Sequence, residues 1–186
     1  YQLYYSPGAA SLVVHWMLIE LGLPYELKKL DLSKKEHKTP EYLALNPNGV
    51  VPTLVVDGVP MFEAAALITF LADCKLEAGF APELGSLDRG KYYQWMFFLA
   101  NTLQPPFRSW WYPEEAAGEQ NSEAAKEHAR IKIESIFSML HVHLATNGPY
   151  MLGEKISAVD FMLVMLMRWS RGMPKTALDY PHLANL

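Results

Sequence analysis

The stretch Asn46–Leu67, NPNGVVPTLVVDGVPMFEAAAL, constrains this chain more than any other. Asn46-Pro47 and Asn48-Gly49 are turn dipeptides, and Gly49 suits a backbone position with positive φ. Two apolar runs follow, Thr53–Val56 and Val59–Phe62. Only Asp57-Gly58 separates them, which predicts a two-residue hairpin. An Ala-rich run from Glu63 to Asp73 then carries Leu67, Ile68, Phe70 and Leu71 at helical spacing. Pro52 stands just before the first of these strands. It has no N–H for a sheet ladder, so it belongs at a strand's first position or an edge, and it pushes Val51 towards extended geometry. Two readings of Pro52 stay open. It is a rigid strand entry, or a cis-proline that turns the Val51 backbone towards a peptide-like ligand.

Around this unit the chain reads as two domains. Gln2–Tyr5 is a short strand, and Ser6-Pro7-Gly8 a loop. Ser11 is a candidate N-cap for a helix that ends at Gly22, with Pro24 beyond it. Its sequence LVVHWMLIEL is apolar on nearly every face, which predicts burial on both sides. Tyr25–Leu30 is a second strand, parallel to the first if the helix is a crossover. Ser33–Lys38 is a charge run and Glu41–Leu45 a short helix, so the order becomes β-α-β-α-β-β-α. Periodicity is lost over Lys75–Leu87, which is read as a linker. Arg89–Thr102 is a long aromatic helix that Pro105-Pro106 must end or kink. Asn121 to Ala145 is a second long helix, with Ala129, Ile133, Ile136, Phe137, Leu140 and Leu144 on its inner face. Ser157–Asp160 forms a capping box, flanked by a hydrophobic staple of Ile156 and Phe161. It opens an apolar helix running to Trp169, expected at the centre of the helical domain. Asp160 is accordingly read as a folding residue. The fold class expected is α/β plus all-α: residues 1–76 form the α/β domain, 77–87 the linker and 88–186 the helical bundle.

Composition narrows the function. The 186 residues carry a net charge of −4 without basic bias, which argues against nucleic-acid binding. No charge-free apolar run reaches ~18–20 residues, so no membrane span is expected, and no signal peptide is visible. A single cysteine, Cys74, cannot form an internal disulfide and fits a reducing, cytoplasmic setting. Tyr1 begins the chain and Leu186 stands inside a helix-like PHLANL, so further residues are expected at both ends. His15 reads as a satisfied core histidine. His128, His141 and His143 lack partners at metal-ligand spacing, so no metal is predicted.

The string NPNGVVPTLVVDGVPMFEAAALITFLAD resembles the second half of a glutathione S-transferase N-terminal domain, which is thioredoxin-like. The opening QLYYSPGAASLVVHWMLIELGLPYEL resembles its first strand, active loop and first helix. The chain is most similar to the bacterial beta-class and related enzymes. The capping box and staple resemble the family's helical domain. The resemblance implies a transferase that joins the thiolate of glutathione, as cosubstrate, to a small apolar electrophile, in a cytoplasmic homodimer. Alternatives are a non-catalytic binding or scaffold protein of the same fold, and a glutathione-dependent isomerase or dehalogenase.

The resemblance also implies site residues. Such an enzyme must lower a thiol pKa of about 8.5. Two hydroxyls qualify, Tyr5 at the end of the first strand and Ser11 at the start of the first helix. Ser11 is preferred, because a hydroxyl at a helix N-terminus acts together with the dipole. Val51, with Pro52, would offer its backbone N–H and C=O to the cysteinyl unit. Glu63 fits the γ-glutamyl amino group, and Ala64 stands where a serine usually meets the γ-glutamyl carboxylate. Lys35, or Lys34, is placed to approach the glycyl carboxylate. Ala10 fills the place of the beta-class cysteine, and Gln104 that of the active-site histidine. Phe107, Trp110 and Trp111 are candidates for an apolar second-substrate pocket, and equally for core.

Overall fold

The hairpin forms where Asp57-Gly58 directs it. Both residues have positive φ, +49° and +84°, as a primed hairpin turn requires. It joins β3 (Thr53–Val56) to β4 (Val59–Phe62). The structure is a computed structural model that describes residues 1–186. It contains two compact units, Tyr1–Ala81 and Pro82–Leu186.

In the first unit the sheet has the order β2-β1-β3-β4. β1 is Gln2–Tyr5 and β2 is Glu26–Lys29, parallel to it as expected of a crossover. β3 runs antiparallel to both β1 and β4. The β4 edge carries Pro60, which cannot donate to a further strand, so it resists edge-to-edge pairing. Helices α1 (Ser11–Glu20) and α3 (Ala64–Cys74) pack against each other and against strands β1 and β4 respectively. Leu3, Leu54, Val13, Val14, Met17, Leu18, Leu67, Ile68 and Leu71 are buried between them, each side chain contributing about 1.5–3 kcal/mol of transfer free energy. Helix α1 departs from the expectation of burial on both sides, because Ile19 is 53% exposed. The short helix α2 spans Pro40–Leu43 and is capped by the Thr39 hydroxyl, which accepts from the Tyr42 amide.

In the second unit the prolines do not end the aromatic helix. Helix α4 (Leu87–Phe98) passes through a π-helical turn, Leu99–Leu103, into α5 (Gln104–Trp111). Pro105 and Pro106 are the second and third residues of α5, directly after the π turn. The wider π turn changes the register in front of them. A short α6 (Pro113–Ala117) follows, then α7 (Ser122–Asn147), α8 (Ala158–Trp169) and a terminal α9 (Pro181–Ala184). The six expected inner-face residues of α7 are all buried. The capping box forms as expected. Asp160 accepts from the Met151 and Ser157 amides, both at 2.8 Å, and from the Ser157 hydroxyl at 2.9 Å. Burial pushes its carboxyl above the usual range, against the downward pull of these bonds. Ile156, the expected outer half of the staple, stays 40% exposed. No helix is long and apolar enough to cross a membrane.

Candidate functional site

Strand register gathers the predicted residues of the first unit. Tyr4 pairs with Thr53 and Thr53 with Phe62, so one row crosses β1, β3 and β4. Tyr5 pairs with Lys29 on the parallel β2, and the Leu30 amide donates to the Tyr5 carbonyl at 2.8 Å. The last residue of β1, the Val51-Pro52 approach to β3, the Glu63-Ala64 exit from β4 and the segment after β2 that carries Lys35 therefore share one end of the sheet. Ser11 joins them, because its hydroxyl bonds the backbone of Ser6, the residue after β1.

Ser11 does not have its expected place. The helix is capped at Ala10, and Ser11 is the first helical residue. Its hydroxyl donates to the Ser6 carbonyl at 3.2 Å and accepts from the Ser6 amide at 3.3 Å, and the residue is 1% exposed. These two bonds brace the Ser6–Ala10 loop. Tyr5 is half-buried, with its ring 6.5 Å from that of His15. His15 itself is half-buried and bonds the Tyr25 hydroxyl at 3.0 Å, so it is satisfied without being core.

The Val51–Pro52 peptide is cis, and Pro52 is buried. Gly49 has φ +58°, and a Cβ there would lie 2.9 Å from the His37 carbonyl oxygen, so only glycine fits this turn. Glu63 is exposed, with φ +73° and ψ +106°, a strained setting for a residue with a Cβ. It stands at the N-terminus of α3, whose first amides lack intrahelical acceptors. Ala64 follows and is buried. Lys35 is exposed with φ +58°, whereas Lys34 lies 3.5 Å from Asp31.

Three residues that sequence reasoning passed over hold the loop before Pro52. The Tyr42 hydroxyl donates to the Val50 carbonyl at 2.6 Å and lies 2.7 Å from the Thr53 hydroxyl. The Asn46 side-chain amide donates to the same Val50 carbonyl at 2.9 Å and to Thr53 Oγ1 at 3.2 Å. Its oxygen accepts from the Asn48 amide. Asn46 and Thr53 are fully buried. By sequence Asn46 is only a turn former. The one local signal beyond that was a tyrosine one helical turn ahead of the Asn-Pro turn.

In the second unit, Gln104 is half-buried at the start of α5. Phe107 is a core residue and not a pocket wall. It is 1% exposed, with its ring 6.2 Å from Phe137 and 5.8 Å from Trp169. Trp110 is half-buried beneath the Lys126 ammonium, and Trp111 donates to the Trp169 carbonyl at 3.2 Å. Adjacent in sequence, the two tryptophans thus engage different helices. A depression of about 590 Å3 in this unit is lined instead by Pro105, Pro106, Ser109, Ala129, His128 and neighbours. No cluster of three or more His, Cys, Asp or Glu side chains is placed to hold a metal ion.

The glutathione S-transferase N-terminal domain family matches residues 9–74, and the glutathione S-transferase C-terminal domain family residues 101–186. The chain is 32% identical to glutathione S-transferase GST-4.5 of Xanthomonas campestris, over 100% of this chain and 88% of the relative. It superposes with TM-score 0.90 and 27% identity on a glutathione transferase homologue from Sulfitobacter with bound glutathione, covering 99% of this chain and 88% of that one. A bacterial beta-class glutathione S-transferase from Sphingomonas chungbukensis matches at TM-score 0.85 and 27% identity, covering 99% and 89%.

Proposed function

The chain belongs to the glutathione S-transferase family and is a glutathione transferase; from that premise we propose that it adds the glutathione thiolate to small apolar electrophiles, as a cytoplasmic homodimer. The observation that carries the reading is the single sheet end at which Tyr5, Ser11, Lys35, Val51 and Glu63 converge. In this reading residues 1–76 bind glutathione, 77–87 are the linker and 88–186 form the helical domain. The Val51 N–H and C=O pair with the cysteinyl unit, antiparallel-strand fashion. Glu63 takes the γ-glutamyl amino group, and the first amides of α3, at Ala64 and beyond, take the γ-glutamyl carboxylate. Lys35 approaches the glycyl carboxylate. Trp110 and Trp111 supply apolar surface for the electrophile. The lone cysteine suits a reducing compartment.

Magnitudes decide which group ionises the thiol. Lowering its pKa by about two units needs about 2.7 kcal/mol. The N-terminus of α1 supplies about 0.3–1 kcal/mol towards an anion, which is not enough alone. A hydrogen bond to a charged group adds about 1.5–3 kcal/mol. With the Ser11 proton committed to Ser6, that bond falls to the Tyr5 hydroxyl. Tyr5→Phe should therefore raise the bound thiol pKa by about one unit or more, and slow turnover more at pH 6.5 than at pH 9. Ser11→Ala should leave that pKa nearly unchanged. Thiolate absorbance against pH, with glutathione bound, reads both, and the opposite pattern returns the role to Ser11. Retention on immobilised glutathione together with turnover of an activated aryl halide tests the activity. Failure of both sinks the transferase reading.

A further inference from the structure

We infer that Tyr42, acting with Asn46, is a positioning residue for glutathione: it aims the Val51 N–H by holding the carbonyl on the opposite side of the same peptide plane. The inference rests on the proposed pairing of Val51 with the cysteinyl unit. The Val50–Val51 peptide is trans, since the cis bonds of the chain are Val51–Pro52 and Gly148–Pro149. In a trans peptide the C=O and N–H leave one rigid plane in opposite directions. Fixing the Val50 oxygen therefore fixes where the Val51 hydrogen points.

The clamp on that oxygen is complete. Tyr42 gives its only proton to the Val50 oxygen. Thr53 then donates to the Tyr42 oxygen, and Asn46 spends one amide hydrogen on Val50 and the other on Thr53. Flipping the Asn46 amide would set its oxygen against the Val50 carbonyl oxygen and its NH2 against the Asn48 N–H, so the orientation with the NH2 towards Val50 is the one that satisfies the cluster. Tyr42 is 3% exposed, and burial pushes its phenol pKa up, so it stays a donor over the working pH range. The four residues come from α2, the Asn-Pro turn, the loop and β3. Val50 itself is 46% exposed, so little packing of its side chain helps to hold this plane.

A backbone contact to the cysteinyl unit is made in both the ground state and the transition state. Its loss raises KM and leaves kcat alone. Tyr42→Phe keeps the ring beside Tyr4, 5.6 Å away, and removes one donor. The expected result is a glutathione Kd and KM about 3- to 10-fold higher, with kcat at saturating glutathione changed less than about twofold. In the free protein, the residual dipolar coupling of the Val51 amide should change, reporting its new direction without any ligand. Thr53→Val should act in the same sense and Thr53→Ser should restore wild-type affinity; this pair also serves if Tyr42→Phe folds poorly. Wild-type protein that binds glutathione and shifts its Val51 amide resonance, beside a Tyr42→Phe variant of equal affinity, overturns the inference alone. A lower kcat with unchanged KM also overturns it. Wild-type protein that binds glutathione without any response at Val51, or does not bind it, removes the underlying reading and the inference with it.

Discussion

Glu63 adopts a left-handed φ of +73° at the start of α3, although any residue with a Cβ is strained there. Such a setting costs about 1–3 kcal/mol. Glycine would relieve it, and in the proposed reading the Glu63 carboxylate takes the γ-glutamyl amino group. Glu63→Gly should keep or raise the melting temperature while weakening glutathione binding about 10-fold or more, the loss of one charge-assisted bond. Calorimetry and a thermal melt on the same sample check both halves. A variant that binds as tightly as the parent would take Glu63 out of the site. Ser11 shows the converse case. Its hydroxyl has a local use, bonding both backbone groups of Ser6 and so closing the Ser6–Ala10 loop.

Among the elements, α8 is the most buried, with nine of its residues inside the second unit. Its start is held by Asp160, whose three hydrogen bonds tie the Met151 segment to the cap. Asp160→Ala would leave the Met151 and Ser157 amides buried without acceptors, at about 1–3 kcal/mol each. The expected loss is about 3 kcal/mol or more, seen as a lower urea midpoint at unchanged slope. A loss below about 1 kcal/mol would mean that the box does not hold this helix. The α4–α5 passage shows how an element's boundary escapes local reading. Pro105-Pro106 carries the same signal whether it stops a helix or begins one. The π turn at Leu99–Leu103 decides which.

At the scale of the whole molecule, α4 exposes Tyr93 and Phe97, one helical turn apart, with Phe97 59% accessible. Their rings lie 6.5 Å apart. An apolar pair of this kind suits contact with a second copy of the chain, in line with the proposed homodimer. Light scattering at micromolar concentration should give twice the chain mass of 21.1 kDa, and Phe97→Glu should shift the protein to the monomer without unfolding it. A monomeric parent would remove the homodimer from the proposal.

What the sequence alone determined was local or periodic. Asp57-Gly58 specifies a primed turn because few residue pairs tolerate two positive φ angles. The α7 stripe and the Ser157–Asp160 box are legible because their partners lie three or four residues away. Tertiary structure decided whatever depends on a distant partner. Asn46 reads identically as an exposed turn residue or a buried clamp until Tyr42 and Thr53 close on it. Phe107 is pocket or core according to where Phe137 and Trp169 arrive, 30 and 62 positions further on. The Ser11 proton goes to the Ser6 carbonyl because the strand-to-helix loop brings that oxygen within reach. Side-chain type sets which hydrogen bonds are possible, and long-range packing selects among them, because a buried polar group must take the partners that the fold brings to it.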